Sequence, residues 1–346
     1  MDALILAAGE GSRLLPLTRT KPKPLFPIFN RSLLQFTFDY LNRFSIQRVI
    51  LNTHHLSGQI EKFVQNEKEN RSFERQTRFE PTILDTGGGI GNTRDFWFSY
   101  PFVVINGDIL TDIDLHQAVG FHQSHKGPVT LILHDYPEFN QILVDGQGRI
   151  QDFQQEKGHG LAFTGIHLLE KKIFDFLPPS GAFEIIPIYM RMIREGIPVR
   201  AFISRGHYWR DIGTPISYLK VHEELLPIVM NPEDQTNITK FEHKSPLIPL
   251  FQRGTHSIPS IISPPFIKGG AGGIYIHPEA QIEKGVEFSG WACIGKGCHL
   301  KKGCRIQNSV LWEDVVVETG VSVSESIIGQ EVHLKHNLRE EAVINE

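Results

Sequence analysis

Residues 3–13 read ALILAAGEGSR, and this stretch decides how the first part of the chain folds. An apolar run without polar alternation predicts a strand that is buried on both faces, as in a parallel sheet. The two glycines that follow predict a tight turn whose backbone N–H groups can cradle an anion, and Arg13 comes directly after them. We therefore expect an α/β sheet whose first strand ends in a phosphate-binding turn. An ordinary strand-to-helix turn with solvated Arg and Lys side chains is the alternative.

Short apolar runs and amphipathic stretches alternate along the chain to about residue 225. Apolar runs predict further strands at 48–52, 102–105 and 129–133, and amphipathic stretches predict helices at 33–44 and 59–64. A parallel sheet covered on both faces carries its ligands at the carboxyl ends of its strands. The pattern predicts a Rossmann-like domain with a mixed, mostly parallel sheet.

Residues 228–274 differ in character from the sequence before them. Proline and glycine become dense, as in Ser263-Pro264-Pro265 and in residues 269–273, and both residue types oppose regular structure. We interpret this stretch as a linker or an irregular insertion between two domains, 1–227 and 275–346.

Residues 275–334 contain an internal repeat with a period of six. Apolar residues recur at that spacing and resume it after one five-residue step: Ile276, Ile282, Phe288, Ile294, Leu300, Ile306, then Leu311, Val317 and Val323. A period of six is neither helical nor that of a plain hairpin, and it is typical of a parallel β-helix, in which each repeat supplies one flat face. The stretch resembles a short left-handed β-helix of about three coils.

The composition excludes several classes of protein. A net charge of −4 lacks the basic bias of a general nucleic-acid binder. No apolar run approaches the roughly 20 residues of a membrane span, and no basic leader precedes the first apolar stretch. We therefore expect a cytoplasmic protein with neither nucleic-acid nor membrane partners. Cys293, Cys298 and Cys304 contain no CxxC pair, so we expect small buried apolar residues rather than a disulfide or a zinc site.

Lys23 gives the glycine turn its family resemblance. It lies in Thr20-Lys21-Pro22-Lys23-Pro24, and a strand followed by G-x-G-x-R and then P-K-P is far more specific than either motif alone. The combination resembles the nucleotidyltransferases that activate sugar 1-phosphates. The resemblance implies that Arg13 and Lys23 neutralise charge as pyrophosphate leaves, with Lys21 as a lesser candidate. It also implies that the nucleoside triphosphate is bound by the turn residues Ala7, Ala8, Gly9 and Gly11.

A glycine-rich segment, Leu84-Asp85-Thr86-Gly87-Gly88-Gly89-Ile90, comes later in the chain. The resemblance implies that Gly87, Gly88 and Gly89 line the nucleobase pocket, where the lack of side chains lets a base lie against the backbone. A flexible loop is the alternative. This form is similar to the N-acetylmuramate-1-phosphate uridylyltransferase subgroup, which Asn52 and His54 also match without an evident role.

The resemblance implies a metal site formed by two aspartates. Asp108 follows the predicted strand 102–105, where a parallel sheet places its ligand crevice. The resemblance pairs Asp108 with Asp211, in Trp209-Arg210-Asp211-Ile212-Gly213-Thr214, as ligands of Mg²⁺. This ion prefers one or two carboxylates together with phosphate oxygens. A capping role for Asp108 is the alternative.

Two short segments resemble those with which the family binds the sugar and its phosphate, Glu156-Lys157 and Thr164-Gly165. The resemblance implies that Glu156 contacts sugar hydroxyls and that Lys157 contacts the sugar phosphate. Gly158 stands where the family has proline, so a solvated ion pair on a loop is the alternative. Glu184 occupies a position that family members often fill with an acidic residue.

The predicted reaction joins a nucleoside triphosphate to a sugar 1-phosphate and releases pyrophosphate. The sugar phosphate is already ionised, so Mg²⁺-assisted in-line attack on the α-phosphate requires no strong general base. Residues 308–312 resemble the tail of mannose-1-phosphate guanylyltransferases, whereas the glycine-rich segment favours the muramate type. We therefore expect a hexose 1-phosphate, with mannose 1-phosphate as one candidate, and leave the base open between GTP and UTP.

Three other functions fit the sequence less well. A non-catalytic regulatory subunit that binds nucleotide sugars would usually lose a motif residue, whereas this chain keeps Arg13, Lys23, Asp108 and Asp211. A hexapeptide acetyltransferase needs more coils and a catalytic histidine, and a dinucleotide-binding dehydrogenase needs a third glycine where Leu14 stands. We expect the C-terminal domain to mediate contacts in a homo-oligomer, because its open end and flat faces need covering.

Overall fold

The computed structural model describes residues 1–67, 72–125, 127–153, 160–230 and 273–345. They form two compact units, Met1–Glu10 with Thr37–Trp209 and Gly11–Phe36 with Arg210–Glu346. Most of the predicted linker 228–274 lies outside the described residues. The predicted domain boundary at residue 227 lies inside a helix, Pro215–Met230.

A seven-stranded sheet forms the framework of the first unit. Its strands in chain order are β1 Asp2–Leu6, β2 Arg48–Thr53, β3 Glu74–Phe79, β4 Phe102–Asn106, β5 Val129–His134, β6 Ala162–Leu169 and β7 Val199–Ser204. Their spatial order is β7-β5-β6-β4-β1-β2-β3. Within this sheet β6 runs antiparallel to both neighbours and the other pairs are parallel. The mixed, mostly parallel sheet predicted from the sequence is confirmed.

The two helices predicted from the sequence, 33–44 and 59–64, are present, and each observed end lies within two residues of the predicted one. The helices in chain order are α1 Leu33–Asn42, α2 Ser57–Asn66, α3 Asp85–Gly91, α4 Leu115–Gln123, α5 Ile185–Arg194 and α6 Pro215–Met230. Shorter strands are Pro27–Ile28, Arg31–Ser32, Ile109–Thr111, Ile142–Val144, Ile150–Phe153 and Trp209–Asp211. Among the helices described, we find none with the length and apolar character needed to cross a bilayer.

The central strands are buried because their side chains are continuously apolar. Ala3, Leu4 and Ile5 in β1 have no exposed surface. The edge strand β3, with the sequence ERQTRF, is instead half-buried or exposed throughout. Since β1 is parallel to both β2 and β4, the carboxyl ends of these three neighbours lie together at one edge of the sheet.

The repeat region forms coils of parallel strands, consistent with a β-helix. The strands are Ile274–Ile276, Gln281–Ile282, Glu287–Ile294, His299–Leu300, Arg305–Leu311, Val316–Val317, Ser322–Ser324, Ile327–Ile328, His333–Leu334, Leu338–Arg339 and Ala342–Val343. Tyr275 pairs with Cys293, 18 residues later, and Cys293 pairs with Val310, 17 residues later. Three six-residue repeats per coil account for the first interval.

A β-bulge explains the five-residue step in the repeat. Ser289 pairs with Gln307 and Ala292 pairs with Ser309, so Gly290 and Trp291 together oppose the single residue Asn308. The Trp291 N–H donates to Asn308 Oδ1 at 3.2 Å, which satisfies the amide that the bulge leaves outside the ladder. If the first, second and third coils are counted from Ile274, Glu287 and Arg305, the third coil is therefore one residue shorter than the second.

The repeat positions fill the interior of the coils with one exception. Ile276, Phe288, Ile294, Leu300, Ile306, Leu311, Val317 and Val323 are all buried. Ile282 follows the same period but is 36% exposed. It lies in the first strand of its sheet, which has a coil on one side only. Cys293, Cys298 and Cys304 are buried free thiols, as predicted.

Candidate active site

A buried polar network holds the end of β1. The backbone N–H of Ala7 donates to Asn52 Oδ1 at 2.7 Å, and Asn52 Nδ2 donates to Glu80 Oε1 at 2.9 Å. The other carboxylate oxygen of Glu80 accepts the Leu84 N–H at 3.3 Å. Burial raises the pKa of Glu80. One asparagine and one glutamate thus join the start of the glycine turn to the start of the glycine-rich segment.

The glycine-rich segment is a short helix, α3, rather than an open loop. The N–H groups of Gly87 and Gly88 donate to the Phe183 carbonyl at 2.9 and 3.0 Å. A Cβ on Gly87 would lie 2.5 Å from the Phe183 ring, and a Cβ on Gly89 would lie 2.8 Å from Asn52 Nδ2. Close packing against Phe183 and Asn52 is therefore enough to require glycine at these positions, whether or not a ligand binds there. Their contact with a nucleobase stays a prediction.

Asp108 follows β4 at the edge where β1 also ends. The Gly107 N–H donates to the Leu6 carbonyl at 2.8 Å, and a Cβ on Gly107 would lie 2.7 Å from that oxygen. Glycine at 107 lets the backbone leading to Asp108 pass close to β1. The Asp108 side chain is half-buried at this edge.

The remaining part of the glycine turn belongs to the second unit. Gly11 has a φ of +66°, a left-handed conformation that favours glycine. Thr18 Oγ1 donates to the Gly11 carbonyl at 3.1 Å. A Cβ on Gly11 would lie 2.8 Å from Thr18 Cγ2 and 3.8 Å from the Cβ of Lys23, which is a buried lysine. The turn therefore packs directly against the lysine that the P-K-P motif predicts to be catalytic.

Arg13 and Asp211, nearly two hundred residues apart in sequence, meet beside Gly213. A Cβ on Gly213 would lie 2.3 Å from Asp211 Oδ1 and 2.7 Å from Arg13 Nη2. Thr214 and Ser217 fix the turn there, since the Ser217 N–H donates to Thr214 Oγ1 at 3.1 Å and the Thr214 N–H donates to Ser217 Oγ at 3.0 Å. Gly213 thus brings a guanidinium and a carboxylate to one place, at the start of α6.

The predicted sugar-binding residues are only partly described. Glu156 and Lys157 lie outside the described residues. Thr164 is buried, and its hydroxyl donates to the Ile132 carbonyl at 2.7 Å. Gly165 has a φ of +79°, and a Cβ there would lie 2.7 Å from Asn106 Nδ2. Both residues have evident packing roles in the sheet, and their part in sugar binding stays a prediction.

Comparison with known families decides the class of protein. The Nucleotidyl transferase family matches residues 2–227. The chain belongs to this family. The GMPPB C-terminal domain matches residues 271–345, which contain the described coils. The protein is therefore a nucleotidyltransferase, as the motifs predicted.

Relatives named for sugar-phosphate activities align with most of this chain. A UTP–glucose-1-phosphate uridylyltransferase from Synechocystis sp. is 26% identical over 95% of this chain and 87% of its own length. A mannose-1-phosphate guanylyltransferase from Mycobacterium tuberculosis is 27% identical over 92% of this chain and 82% of its own length. The crystal structure of HddC from Yersinia pseudotuberculosis aligns with a TM-score of 0.55 at 25% identity, over 65% of this chain and 99% of its own.

The structural roles of four residues were not evident from the sequence. Asn52 matched a subgroup pattern without a role, and the structure shows it bonded to the Ala7 amide. Glu80 and Thr18 gave no signal at all, because a single polar residue after a strand or within a turn is common. Gly213 stood inside a known motif, but only the packing shows which side chains its missing Cβ admits.

Proposed function

We propose that this nucleotidyltransferase transfers a nucleotidyl group from a nucleoside triphosphate to a hexose 1-phosphate and releases pyrophosphate. The observation that carries the proposal is the meeting of Arg13 and Asp211 at Gly213. A cationic side chain beside a metal-ligating carboxylate is what transfer to a phosphate requires, since charge must be held at both the leaving group and the reacting phosphorus.

The cationic residues would act on the triphosphate. Arg13 can donate two parallel hydrogen bonds to phosphate oxygens, and Lys23 supplies a compact charge. In this proposal both neutralise the pyrophosphate as it leaves, while Ala7, Ala8, Gly9 and Gly11 form the turn around the phosphates. The Ala7 N–H is bonded to Asn52 Oδ1 and holds the start of the turn, so the N–H groups that follow it in the turn would face the phosphates. A Cβ on Gly9 would meet nothing within 4 Å, so this exposed position leaves space for a close ligand.

The donor set fits Mg²⁺. Nucleotidyltransferases of this family are typically metal-dependent. Within the described ranges no cluster of three His, Cys, Asp or Glu side chains could hold a metal ion. Mg²⁺ needs no such cluster, because it binds through one or two carboxylates and completes its shell with phosphate oxygens and water. Asp108 and Asp211 would hold the ion, which when bound supplies positive charge to the α-phosphate.

The remaining assignments follow the resemblance. Gly87, Gly88 and Gly89 would bind the base, and Glu156, Lys157, Thr164 and Gly165 would bind the sugar phosphate. Mannose 1-phosphate is one candidate, because residues 308–312 resemble the tail of mannose-1-phosphate guanylyltransferases and one such enzyme aligns over 92% of the chain. GTP and UTP both stay candidates, since the relatives include guanylyl- and uridylyltransferases. We place the protein in the cytoplasm without nucleic-acid or membrane partners, as a homo-oligomer through its C-terminal coils.

Pyrophosphate release tests the proposal directly. The purified protein is offered ATP, CTP, GTP, UTP and dTTP in turn, each with mannose, glucose and N-acetylmuramic acid 1-phosphates, with Mg²⁺ and then with a chelator. We expect Mg²⁺-dependent release with one strongly preferred pair, and Lys23→Ala should reduce it by orders of magnitude. A folded protein that binds a nucleotide sugar but releases no pyrophosphate across the whole matrix is instead a regulatory subunit.

A further inference from the structure

A buried aromatic cluster joins the coils to the segment that follows the P-K-P motif. Its centre is Trp312, which directly follows the strand Arg305–Leu311 of the third coil. The Phe26 ring lies edge-on to Trp312 with centroids 4.8 Å apart, and edge-on to Tyr218 of α6 at 5.8 Å. All three rings are fully buried. Such contacts contribute beyond the apolar area that they remove from water.

Two hydrogen bonds fix this cluster in one arrangement. Trp312 Nε1–H donates to the Tyr218 hydroxyl at 3.0 Å, and that hydroxyl donates to the Pro27 carbonyl. Burial raises the pKa of Tyr218 well above its ordinary value, so the phenol keeps its proton and its role as donor. One hydroxyl therefore links a coil, a helix and the backbone next to Phe26.

The cluster is connected directly to Lys23. The Phe26 N–H donates to the Lys23 carbonyl at 3.0 Å and closes the single helical turn Lys23–Leu25. Lys21 lies on the other side of that turn, with its Nζ 5.8 Å from the Trp312 ring centroid. Trp312 thus contacts the residues on both sides of the short turn that presents Lys23.

A second set of contacts repeats the connection a few residues later. The Phe29 ring lies 5.6 Å from Tyr275 in the first coil and 5.1 Å from His222 of α6. His222 in turn stacks on Trp291, the bulge residue of the second coil, at 6.4 Å. Three successive coils therefore contribute an aromatic residue to the support of residues 26–29.

We propose that the C-terminal coils are a positioning part of the catalytic apparatus, with Trp312 holding the Lys23 turn in the conformation that binds triphosphate. The inference rests on the proposed role of Lys23. Trp312 and Tyr218 are positioning residues, because they act through that turn. A bound triphosphate gains from a lysine already held in place, since ordering it at the time of binding would cost entropy.

The test compares variants of the full-length protein by pyrophosphate release, with KM for the nucleoside triphosphate, KM for the sugar phosphate and kcat measured separately. Trp312→Ala should lower kcat/KM for the triphosphate by about 10²-fold and leave KM for the sugar phosphate unchanged. Trp312→Phe keeps an aromatic ring and loses the hydrogen bond to Tyr218, and Tyr218→Phe keeps its ring and loses both hydrogen bonds of its hydroxyl, so each should give a smaller loss of the same kind. Ile306→Ala is the matched control, because it opens the same coil interior away from the cluster.

Combination with Lys23→Ala separates positioning from stability. If Trp312 acts through Lys23, Trp312→Ala should cost no further activity in a Lys23→Ala background. An additive loss, an equal loss in Ile306→Ala, or wild-type kinetics in all three cluster variants would overturn the inference. If the wild-type protein releases no pyrophosphate, or Lys23→Ala is fully active, the proposed function fails instead, and the two failures are distinguishable.

Discussion

Replacement of Gly213 by alanine adds one methyl group between two side chains proposed to act on the triphosphate. The new Cβ would lie 2.3 Å from Asp211 Oδ1, 2.7 Å from Arg13 Nη2 and 3.0 Å from Arg13 Cζ. Real Cβ atoms do not approach other heavy atoms so closely, so something must move. The atoms in the way are the far ends of side chains rather than backbone, and they can move without unfolding the protein.

The expected effect is therefore small on stability and large on catalysis. We expect Gly213→Ala to cost about 1 kcal/mol of folding free energy, the low end of overpacking costs. Displacement of a catalytic group by about 1 Å costs on the order of 10²-fold in rate, or about 2.7 kcal/mol of transition-state stabilisation. The Mg²⁺ concentration for half-maximal activity should also rise, because Asp211 is one of the two displaced groups.

The assay is pyrophosphate release over a range of Mg²⁺ concentrations, paired with thermal unfolding of the same samples. Gly120→Ala in α4 is the matched control, because a Cβ there meets nothing within 4 Å. It should be as active as the wild type and slightly more stable. Wild-type kcat/KM and Mg²⁺ dependence in Gly213→Ala would refute the proposal that Arg13 and Asp211 act together on the triphosphate.

Three further perturbations test other parts of the site and the fold. Asp108→Asn should lower turnover on the order of 10²-fold and raise the Mg²⁺ requirement in the same titration, and unchanged Mg²⁺ dependence would count against its role as a ligand. Asn52→Ala leaves the Ala7 amide without its acceptor, so we expect a loss of about 1–3 kcal/mol in urea unfolding and a raised KM for the triphosphate; unaltered values would exclude a positioning role. Burial lowers the pKa of His167 to about 3 from its ordinary 6.5, so the unfolded chain takes up its proton first and stability is lost as the pH falls from 6.5 towards 3. At pH 5 the free energy of unfolding is lower by about 2 kcal/mol for this reason. The urea midpoint of His167→Gln should therefore fall less between pH 7 and pH 5 than that of the wild type. An identical fall in both proteins would show that His167 does not titrate there.

The sheet and the coils could be predicted because each depends on a regular pattern in the sequence. Continuous apolar runs located β1, β2, β4 and β5 to within two residues of their observed ends. The six-residue period located the coils, since each of the three faces of a coil requires a buried apolar residue. The bulge at Gly290 and Trp291 was visible only as an irregular step, because a bulge depends on the pairing of two strands.

Contacts between distant parts of the chain could not be predicted in this way. Phe26 and Trp312 are packed together, but no periodicity relates residues so far apart. The same holds for Arg13 and Asp211 at Gly213. The sequence predicts that the glycines of α3 make room for a base, and the structure shows in addition that Phe183 and Asn52 pack against them. Glycine in a sequence indicates close approach, but only the fold shows what approaches.

The cysteines give this protein an internal reporter of motion. The chain contains three, and all lie in the coils, at Cys293, Cys298 and Cys304. Burial raises the pKa of each thiol, to about 12 for Cys298, so the reactive thiolate is scarce as well as inaccessible while the coils are closed. Alkylation can therefore proceed only when a coil opens, and its rate in the native protein measures the frequency of that opening without interference from the sheet.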